Sequence, residues 1–250
     1  MTRDHGVVDP DMTPEGEPDR RRKFYGRRKG RKLRSNQQVL IDELLPQLQV
    51  TLPEAGGRLD PRSLFNRPVQ AIWLELGFGG GEHLAAQAAA HPDVGFIGCE
   101  VFLNGIAGLL GHLRQNERDG RAADNVRIYP EDARDLLATL PDRCLDRFFL
   151  LFPDPWPKIR HARRRFVNRD NLDLLARLLK PGAELRIGSD DPTYIGWALA
   201  HASDHPAFTW LAEGPADWQQ RPADWPPSRY EQKAIRQGRQ PAYFRFRRKD

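Results

Sequence analysis

Cysteine and long apolar runs are both scarce in this chain. Among 250 residues there are two cysteines, Cys99 and Cys144, and their spacing fits neither a disulfide framework nor a zinc site. The seven histidines also lack the spacing of metal ligands. No run is apolar and long enough to cross a bilayer, and the first residues lack the hydrophobic segment of a signal peptide. We therefore expect a soluble, cytoplasmic protein without a metal; a monomer and a homodimer stay equally open.

Acidic residues are missing from one segment of the chain. Residues 20–34 contain ten lysines and arginines and no aspartate or glutamate, in a chain of net charge +5. Blocks of like charge usually remain disordered and act as interaction tails. Residues 1–19 are acidic, contain proline and glycine, and show no periodicity. We predict a flexible basic N-terminal arm over residues 1–35.

The remainder of the chain alternates short apolar runs with helical patterns. The predicted strands are residues 71–76, 94–101, 126–129, 144–152, 183–188, 208–212 and 242–246. The predicted helices are residues 38–48, 82–90, 103–118, 132–139, 167–180, 193–203 and 229–237. This order predicts an α/β fold, a Rossmann-like seven-stranded mostly parallel sheet with an antiparallel C-terminal pair and helices on both faces. The predicted boundaries are a short helix and connector over 36–68 and one domain over 69–250.

A glycine-rich turn follows the first predicted strand. Gly77-Phe78-Gly79-Gly80-Gly81 comes directly after residues 72–76, and a helix is predicted to begin at Glu82. In nucleotide-binding α/β folds such a turn lies at the ligand site, which predicts that Gly77 and Gly79 contact a cofactor. Glu100, at the end of the second predicted strand, is placed to accept hydrogen bonds from both hydroxyls of a ribose.

Two cofactors fit this turn to different degrees. A dinucleotide needs a third glycine where this chain has Glu82, and its pyrophosphate would be repelled by Glu75 and Glu82. S-adenosylmethionine has no phosphate and carries a sulfonium and an ammonium, which nearby carboxylates favour. A turn that only allows close helix packing is the structural alternative. Asp132 adds a second ambiguity, since it is placed equally well to contact an adenine and to cap a helix.

The most informative segment is Phe152-Pro153-Asp154-Pro155-Trp156-Pro157-Lys158. Three prolines restrict their own φ angles and favour extended geometry at the residues before them. We expect alternate residues to project to the same side, so that two aromatic rings flank the Asp154 carboxylate. A stiff segment of this kind suits a flat nucleobase. Because a carboxylate only accepts hydrogen bonds, Asp154 favours guanine, which offers N1–H and N2–H₂, over adenine.

With its glycine turn and this motif, the chain resembles the bacterial type of tRNA (guanine-N7)-methyltransferase from about residue 70 onward. The specific part of the resemblance is Phe-Pro-Asp-Pro-Trp followed by Lys158 and by His161-Ala162-Arg163-Arg164-Arg165. It implies S-adenosylmethionine as methyl donor and tRNA as substrate, with methylation at a variable-loop guanine, position 46. We expect loss of residues 1–34 to weaken tRNA affinity more than methyl-donor binding.

The resemblance also implies roles for individual residues. Those implied to line the methyl-donor site are Glu75, Glu100, Asp132 and Asp154, with Asp154 also catalytic. Those implied to contact substrate are Lys158, Asp190, Ser228, Arg229, Tyr230 and Glu231. The family usually has Thr-Lys-Tyr-Glu in the last four of these positions, so this chain keeps a hydroxyl and a cation there.

Several of these residues have a structural alternative. Arg163, Arg164 and Arg165 could form a solvated face, although their place beside the acceptor motif favours contacts to RNA phosphates. Ser228-x-x-Glu231 is also a capping box. The functional alternatives are methylation of an exocyclic purine amine, a non-catalytic RNA-binding module, and a nicotinamide-dependent oxidoreductase, which would leave the basic arm unexplained.

Overall fold

A single mixed sheet forms the centre of the protein. The computed structural model describes Gly26, residues 28–54 and residues 56–250. The strands are β1 (Ala71–Leu76), β2 (Val94–Cys99), β3 (Val126–Tyr129), β4 (Leu145–Leu151), β5 (Leu179–Ser189), β6 (Phe208–Trp210) and β7 (Ala242–Arg248). Their order in the sheet is β3-β2-β1-β4-β5-β7-β6. The first five strands are parallel, and β7 runs antiparallel to both β5 and β6.

Helices cover both faces of this sheet. They are α1 (Ser35–Glu43), α2 (Leu45–Leu48), α3 (Glu82–Ala90), α4 (Leu103–Arg118), α5 (Ala133–Thr139), α6 (Arg169–Leu178), α7 (Pro192–Asp204), α8 (Ala216–Gln219) and α9 (Arg229–Arg236). One apolar cluster joins the sheet to α5, α6 and α7, and a second joins it to α2, α3 and α4. β1 is buried at its four central residues. The predicted fold class is confirmed. Within the described part of the chain, no helix has the length and apolarity needed to cross a membrane.

The predicted elements differ from the observed ones mainly at their ends. β5 begins at Leu179, where helix was predicted to continue, because Leu179 pairs with Leu145 across a register shift and Lys180 Nζ lies 2.6 Å from Asp146 Oδ1. Short helical turns that were not predicted include α8 and the 3₁₀ segments Pro61–Leu64 and Ile159–Arg164, of which α8 and Ile159–Arg164 lie within residues 69–250. Neither has the apolar periodicity of a longer helix, so both depend on tertiary contacts.

The strand order decides where a ligand site can lie. The chain passes from β1 to β2 and β3 on one side of β1 and then returns to β4 on the other side, so the direction of winding changes between β1 and β4. In open α/β sheets a crevice forms at this point, outside the carboxyl ends of the strands. The segments that follow β1, β2, β3 and β4 therefore meet at one edge of the sheet.

The predicted flexible arm is only partly described. Residues 1–25 and Arg27 lie outside the described residues, whereas residues 28–34 lead into α1. Leu103 N donates a hydrogen bond to Arg28 O, and Gly30 N donates to Asn104 Oδ1. This part of the predicted arm is therefore not a free tail but packs against the start of α4.

Candidate active site

A large cavity occupies the carboxyl edge of β1 to β4. It has a volume of about 1030 Å³ and is bordered by the glycine turn, the starts of α4 and α5, and the segment after β4. The sequence-predicted residues that line it are Gly77, Gly79, Glu100, Asp132, Asp154, Arg163, Arg164, Arg165 and Tyr230. The structure thus brings the predicted cofactor residues, apart from Glu75, together with Asp154 and the three arginines in one cavity.

The glycine turn needs its glycines for backbone geometry. Gly77 and Gly79 have φ angles of 71° and 56°, in the left-handed region that residues with a Cβ rarely adopt. The turn also lies close to α4, since a Cβ added to Gly105 would be 2.2 Å from Gly79 O. Gly79 N donates a 2.9 Å hydrogen bond to Glu100 Oε2. The turn is therefore held in place by the residue predicted to bind the ribose.

Glu100 is fixed by three backbone amides. Besides Gly79 N on Oε2, its Oε1 accepts 2.9 Å hydrogen bonds from Val101 N and Phe102 N. Burial raises the pKa of Glu100 above its ordinary value, and the nearby Asp154 charge raises it further, against the lowering effect of the three amides. Each carboxylate oxygen can accept more than one hydrogen bond, so this oriented group retains acceptor capacity.

Asp132 serves as a helix cap and lines the cavity at once. Its Oδ1 accepts a 3.0 Å hydrogen bond from Arg134 N at the start of α5, and its carboxylate also pairs with the Arg134 guanidinium. The two interpretations left open by the sequence are therefore compatible. Arg134, which also borders the cavity, was missed by sequence reasoning because a single arginine at a helix start carries no distinctive pattern.

Glu75 lies beneath the cavity and is not part of its lining. The residue is 2 % exposed, and its Oε2 is 2.7 Å from Nδ1 of His83 on α3, which is also 2 % exposed. Gln87 continues this buried polar chain, since its Nε2 lies 3.4 Å from His83 Nε2 and donates to Asp224 O at 2.8 Å. Glu75 thus connects β1 to α3 below the glycine turn, and no sequence pattern predicted His83 as its partner.

Residues 152–158, called the acceptor segment from here on, are less extended than predicted. Phe152 and Trp156, each followed by a proline, have φ angles of 50° and 43° instead of the expected extended values. Residues in this region cost about 1–3 kcal/mol and persist only when surrounding contacts hold them. Phe152 N donates to Gly188 O at 2.7 Å. Asp154 is exposed within this segment and faces the cavity.

Arg165 holds the backbone of the acceptor segment, whereas the sequence predicted that it contacts RNA phosphates. It is 4 % exposed, so a phosphate has little access to it. Its Nε donates to Pro155 O at 3.1 Å and its Nη2 to Trp156 O at 2.9 Å. Its guanidinium lies 4.5 Å from the ring centroid of Trp197 on α7. The guanidinium fork thus joins two consecutive carbonyls of the acceptor segment to the protein core.

Replacing Arg165 by lysine tests this positioning role. Lys keeps the charge but cannot donate to two carbonyls in the same planar geometry. We expect Arg165→Lys to lower kcat about tenfold, the cost of one lost hydrogen bond of about 1.4 kcal/mol. KM for tRNA and the salt dependence of tRNA binding should stay near wild type.

The matched control is Arg118→Lys at the exposed end of α4, which should leave kcat unchanged. A change in the salt slope of Arg165→Lys with kcat intact would instead restore the phosphate-contact interpretation.

Arg163 and Arg164 differ from their neighbour. All three border the cavity, but Arg163 is exposed and Arg164 is half-buried. The Arg164 guanidinium lies 4.8 Å from the centroid of the Trp156 ring. Lys158 is exposed just before this 3₁₀ segment. The cations predicted to face RNA are therefore divided between surface residues and the buried Arg165.

The Ser228–Glu231 segment forms a capping box and also approaches the glycine turn. Ser228 and Glu231 are buried, and Glu231 accepts hydrogen bonds from Ser228 N and from the Tyr243 hydroxyl. Arg229 Nε lies 2.9 Å from Glu82 Oε1. Tyr230 packs so closely on Gly79 that a Cβ there would be 2.5 Å from the Tyr230 ring.

Asp190 lies outside the cavity lining. Its carboxylate forms an ion pair with Arg239, beyond the end of α9. Asp191 instead caps α7, because its Oδ1 accepts a 2.9 Å hydrogen bond from Tyr194 N. The two adjacent aspartates thus have different partners, and the contact of Asp190 with the substrate stays a prediction.

The donor set of the cavity fits S-adenosylmethionine better than a dinucleotide. The lining is mixed in charge, with the carboxylates Glu100, Glu131, Asp132, Asp154 and Asp170 and the cations Arg134, Arg163, Arg164 and Arg165. At the glycine turn itself the charged group of this lining is the Glu100 carboxylate, which would repel a pyrophosphate and attract a sulfonium or an ammonium. Among the described residues there is no group of three or more His, Cys, Asp or Glu side chains that could hold a metal ion.

Solved structures share the fold of this chain. A 16S rRNA (adenine(1408)-N(1))-methyltransferase from Catenulisporales acidiphilia superposes with a TM-score of 0.50 at 17% identity, covering 81% of this chain and 98% of that one. The 16S rRNA methyltransferase KamB gives a TM-score of 0.50 at 12% identity, with 76% and 91% covered. At these identities the likeness concerns the fold alone.

Curated relatives are much more similar. Residues 69–243 match the family described as "Putative methyltransferase". The tRNA (guanine-N(7)-)-methyltransferase of Rhodospirillum rubrum is 57% identical over 91% of this chain and 88% of its own length. The protein of the same name from Paramagnetospirillum magneticum is 54% identical, with 92% and 94% covered. The chain therefore belongs to the tRNA (guanine-N(7)-)-methyltransferase family.

Proposed function

We propose that this chain transfers a methyl group from S-adenosylmethionine to N7 of guanine 46 in the variable loop of tRNA. The observation that carries the proposal is the single cavity in which the oriented Glu100 carboxylate and the exposed Asp154 carboxylate both lie. The catalytic unit is residues 69–250, preceded by the connector 36–68 and the basic segment, and we propose a cytoplasmic location.

The methyl donor would be held at the carboxyl ends of β1 to β3. Glu100 would accept hydrogen bonds from the ribose hydroxyls, and Asp132 would contact the adenine. Gly77 and Gly79 would leave room for the cofactor beside the backbone. Glu75 supports the turn from below through His83. When bound, S-adenosylmethionine supplies an electrophilic methyl group on a sulfonium.

Asp154 would act by position and charge. Guanine N7 has a lone pair and no proton, so no general base is needed at the attacking atom. Methylation turns the neutral base into a cation, and a fixed carboxylate nearby stabilises that growing positive charge. By accepting hydrogen bonds from N1–H and N2–H₂, Asp154 also selects guanine and aligns N7.

The tRNA would be bound mainly through cations around the cavity. Arg163, Arg164 and Lys158 are placed to contact phosphates, and Arg229 and Tyr230 border the glycine turn where the substrate would approach. Ser228 and Glu231 contribute by fixing the start of α9. Asp190 contributes through its pair with Arg239.

One experiment tests the reaction directly. The protein is incubated with unmodified tRNA and S-adenosylmethionine carrying a labelled methyl group, and the tRNA is digested to nucleosides. We expect labelled 7-methylguanosine, mapping to position 46. A labelled N2-methylguanosine or methyladenosine would contradict the N7 assignment and support the exocyclic-amine alternative.

A further inference from the structure

The described end of the basic arm, Gly26 and residues 28–34, is called the basic segment here, and part of it forms a wall of the cofactor cavity. Gly26 lines the cavity together with residues 100–102. Two residues later, Arg28 O accepts a 3.0 Å hydrogen bond from Leu103 N at the first residue of α4. The cationic segment therefore runs along the edge of the site that holds Glu100.

Asn104 holds this segment by its backbone. Its Oδ1 accepts a 2.8 Å hydrogen bond from Gly30 N, and its Nδ2 donates a 2.8 Å hydrogen bond to Arg31 O. One side-chain amide thus satisfies a donor and an acceptor of neighbouring residues, as a paired strand would. The contact depends on backbone atoms and is independent of the cationic side chains.

The fit between the segment and α4 has no room for a larger residue. A Cβ on Gly30 would lie 2.6 Å from Asn104 Oδ1 and 2.8 Å from Cζ of Phe102. Phe102 precedes α4, and its backbone N–H donates to Glu100. The same few residues therefore orient the predicted ribose acceptor and support the basic segment.

The segment also reaches the opposite side of the cavity. Arg28 Nη1 lies 3.1 Å from Oε2 of Glu131, which lines the cavity next to Asp132. Both side chains of this pair are more than half exposed, so the pair adds little stability. Its importance is geometric, because the segment spans from the β2–α4 connection to the β3–α5 connection.

We propose that Asn104 is a positioning residue that docks the basic segment as a wall of the cofactor site, and that this docking couples cofactor affinity to tRNA affinity. Docking holds the backbone of residues 28–31 against the start of α4, on the side of the cavity that residues 100–102 line. Cofactor and tRNA both bind preferentially when the segment is docked. The ligand that binds first therefore bears the entropic cost of holding the segment in place, and the second ligand binds more tightly. The coupling is reciprocal. The identities of the two ligands rest on the proposed function.

The test measures binding without turnover, in the full chain. S-adenosylhomocysteine is titrated calorimetrically with and without saturating unmodified tRNA. For the wild type we expect tRNA to tighten S-adenosylhomocysteine binding about fivefold or more. The coupling ratio is the dissociation constant of S-adenosylhomocysteine without tRNA divided by that with tRNA. In Asn104→Ala and Gly30→Ala we expect this coupling ratio to fall to near one. Binding of S-adenosylhomocysteine without tRNA should also weaken about three- to tenfold, as expected for one lost hydrogen bond.

The matched control is Gly111→Ala, on α4 itself, where an added Cβ meets nothing within 4 Å; it should keep the wild-type ratio. Gly30 lies outside the apolar core, so its variant keeps the test valid if Asn104→Ala unfolds. A coupling ratio of one or below in the wild type would overturn the proposal. So would a coupling ratio in both variants that equals the value of the wild type. A wild type that binds neither ligand would instead contradict the proposed function.

Discussion

Replacement of Asp154 by asparagine is expected to lower kcat about 10² to 10³-fold, a loss comparable to removing one preorganised charge-stabilising group from an active site. Asparagine keeps the shape of the side chain and one acceptor oxygen but loses the negative charge. It also places an amide donor where guanine offers its own donors. Because Asp154 is exposed in the cavity rather than buried in the core, the thermal unfolding midpoint should stay within a few degrees of wild type.

Single-turnover kinetics with saturating tRNA and S-adenosylmethionine measure this loss. A suitable control is Asp204→Asn, at the exposed end of α7, which should retain wild-type rates. Asp154→Ala should be as slow as Asp154→Asn if charge is the main contribution. Near-normal turnover in both Asp154 variants would remove the carboxylate from the mechanism.

The second large effect is expected at Glu100. In Glu100→Gln one carboxylate oxygen becomes an NH₂ group, so a donor faces either Gly79 N or the pair Val101 N and Phe102 N. At least one part-buried backbone N–H then loses its hydrogen-bond acceptor. The ribose hydroxyls in turn lose a negatively charged acceptor. Hydrogen bonds to charged groups contribute about 1.5–3 kcal/mol each, so we expect S-adenosylmethionine affinity to fall about 10- to 100-fold.

Equilibrium binding of S-adenosylhomocysteine to the tRNA-free protein measures this change. The control is Glu117→Gln on α4, which loses only a 2.9 Å surface ion pair with Arg114 and should bind normally. Unchanged affinity in Glu100→Gln would mean that the ribose is held elsewhere in the cavity.

Glu100 also predicts a pH dependence of cofactor binding. Burial raises the pKa of this carboxyl above its ordinary value of 4.5, and the ionised form is the one that accepts ribose hydroxyls. As the pH falls through the raised pKa, affinity should decline at a higher pH than an ordinary glutamate would allow. The sign for folding is opposite: the cofactor-free folded chain binds this proton more tightly than the unfolded chain, so ionisation of Glu100 lowers stability as pH rises.

Much of the fold could be predicted because its signals are local. β1, β3, α3 and α4 begin and end where the apolar pattern and the glycine turn predicted. Strand–helix alternation then implied a parallel sheet, since βαβ connections pack helices on both faces. The start of β5 at Leu179 could not be predicted, because it depends on pairing with Leu145 more than thirty residues earlier.

By itself, the sequence determined the residue types that the chemistry needs and the ends of strands where they occur. Parallel strands share one carboxyl edge, so the turn at Gly77 and Gly79, Glu100, Asp132 and Asp154 had to meet once the sheet formed. Which charged groups face that edge, in contrast, depends on packing between residues distant in the chain. This packing buried Glu75 against His83 and Arg165 against the acceptor carbonyls, and it docked the basic segment on Asn104. The reason is physical: the direction of a charged side chain depends on partners far away in the chain, and a run of arginines has the same local pattern whether its members contact water, RNA or backbone carbonyls.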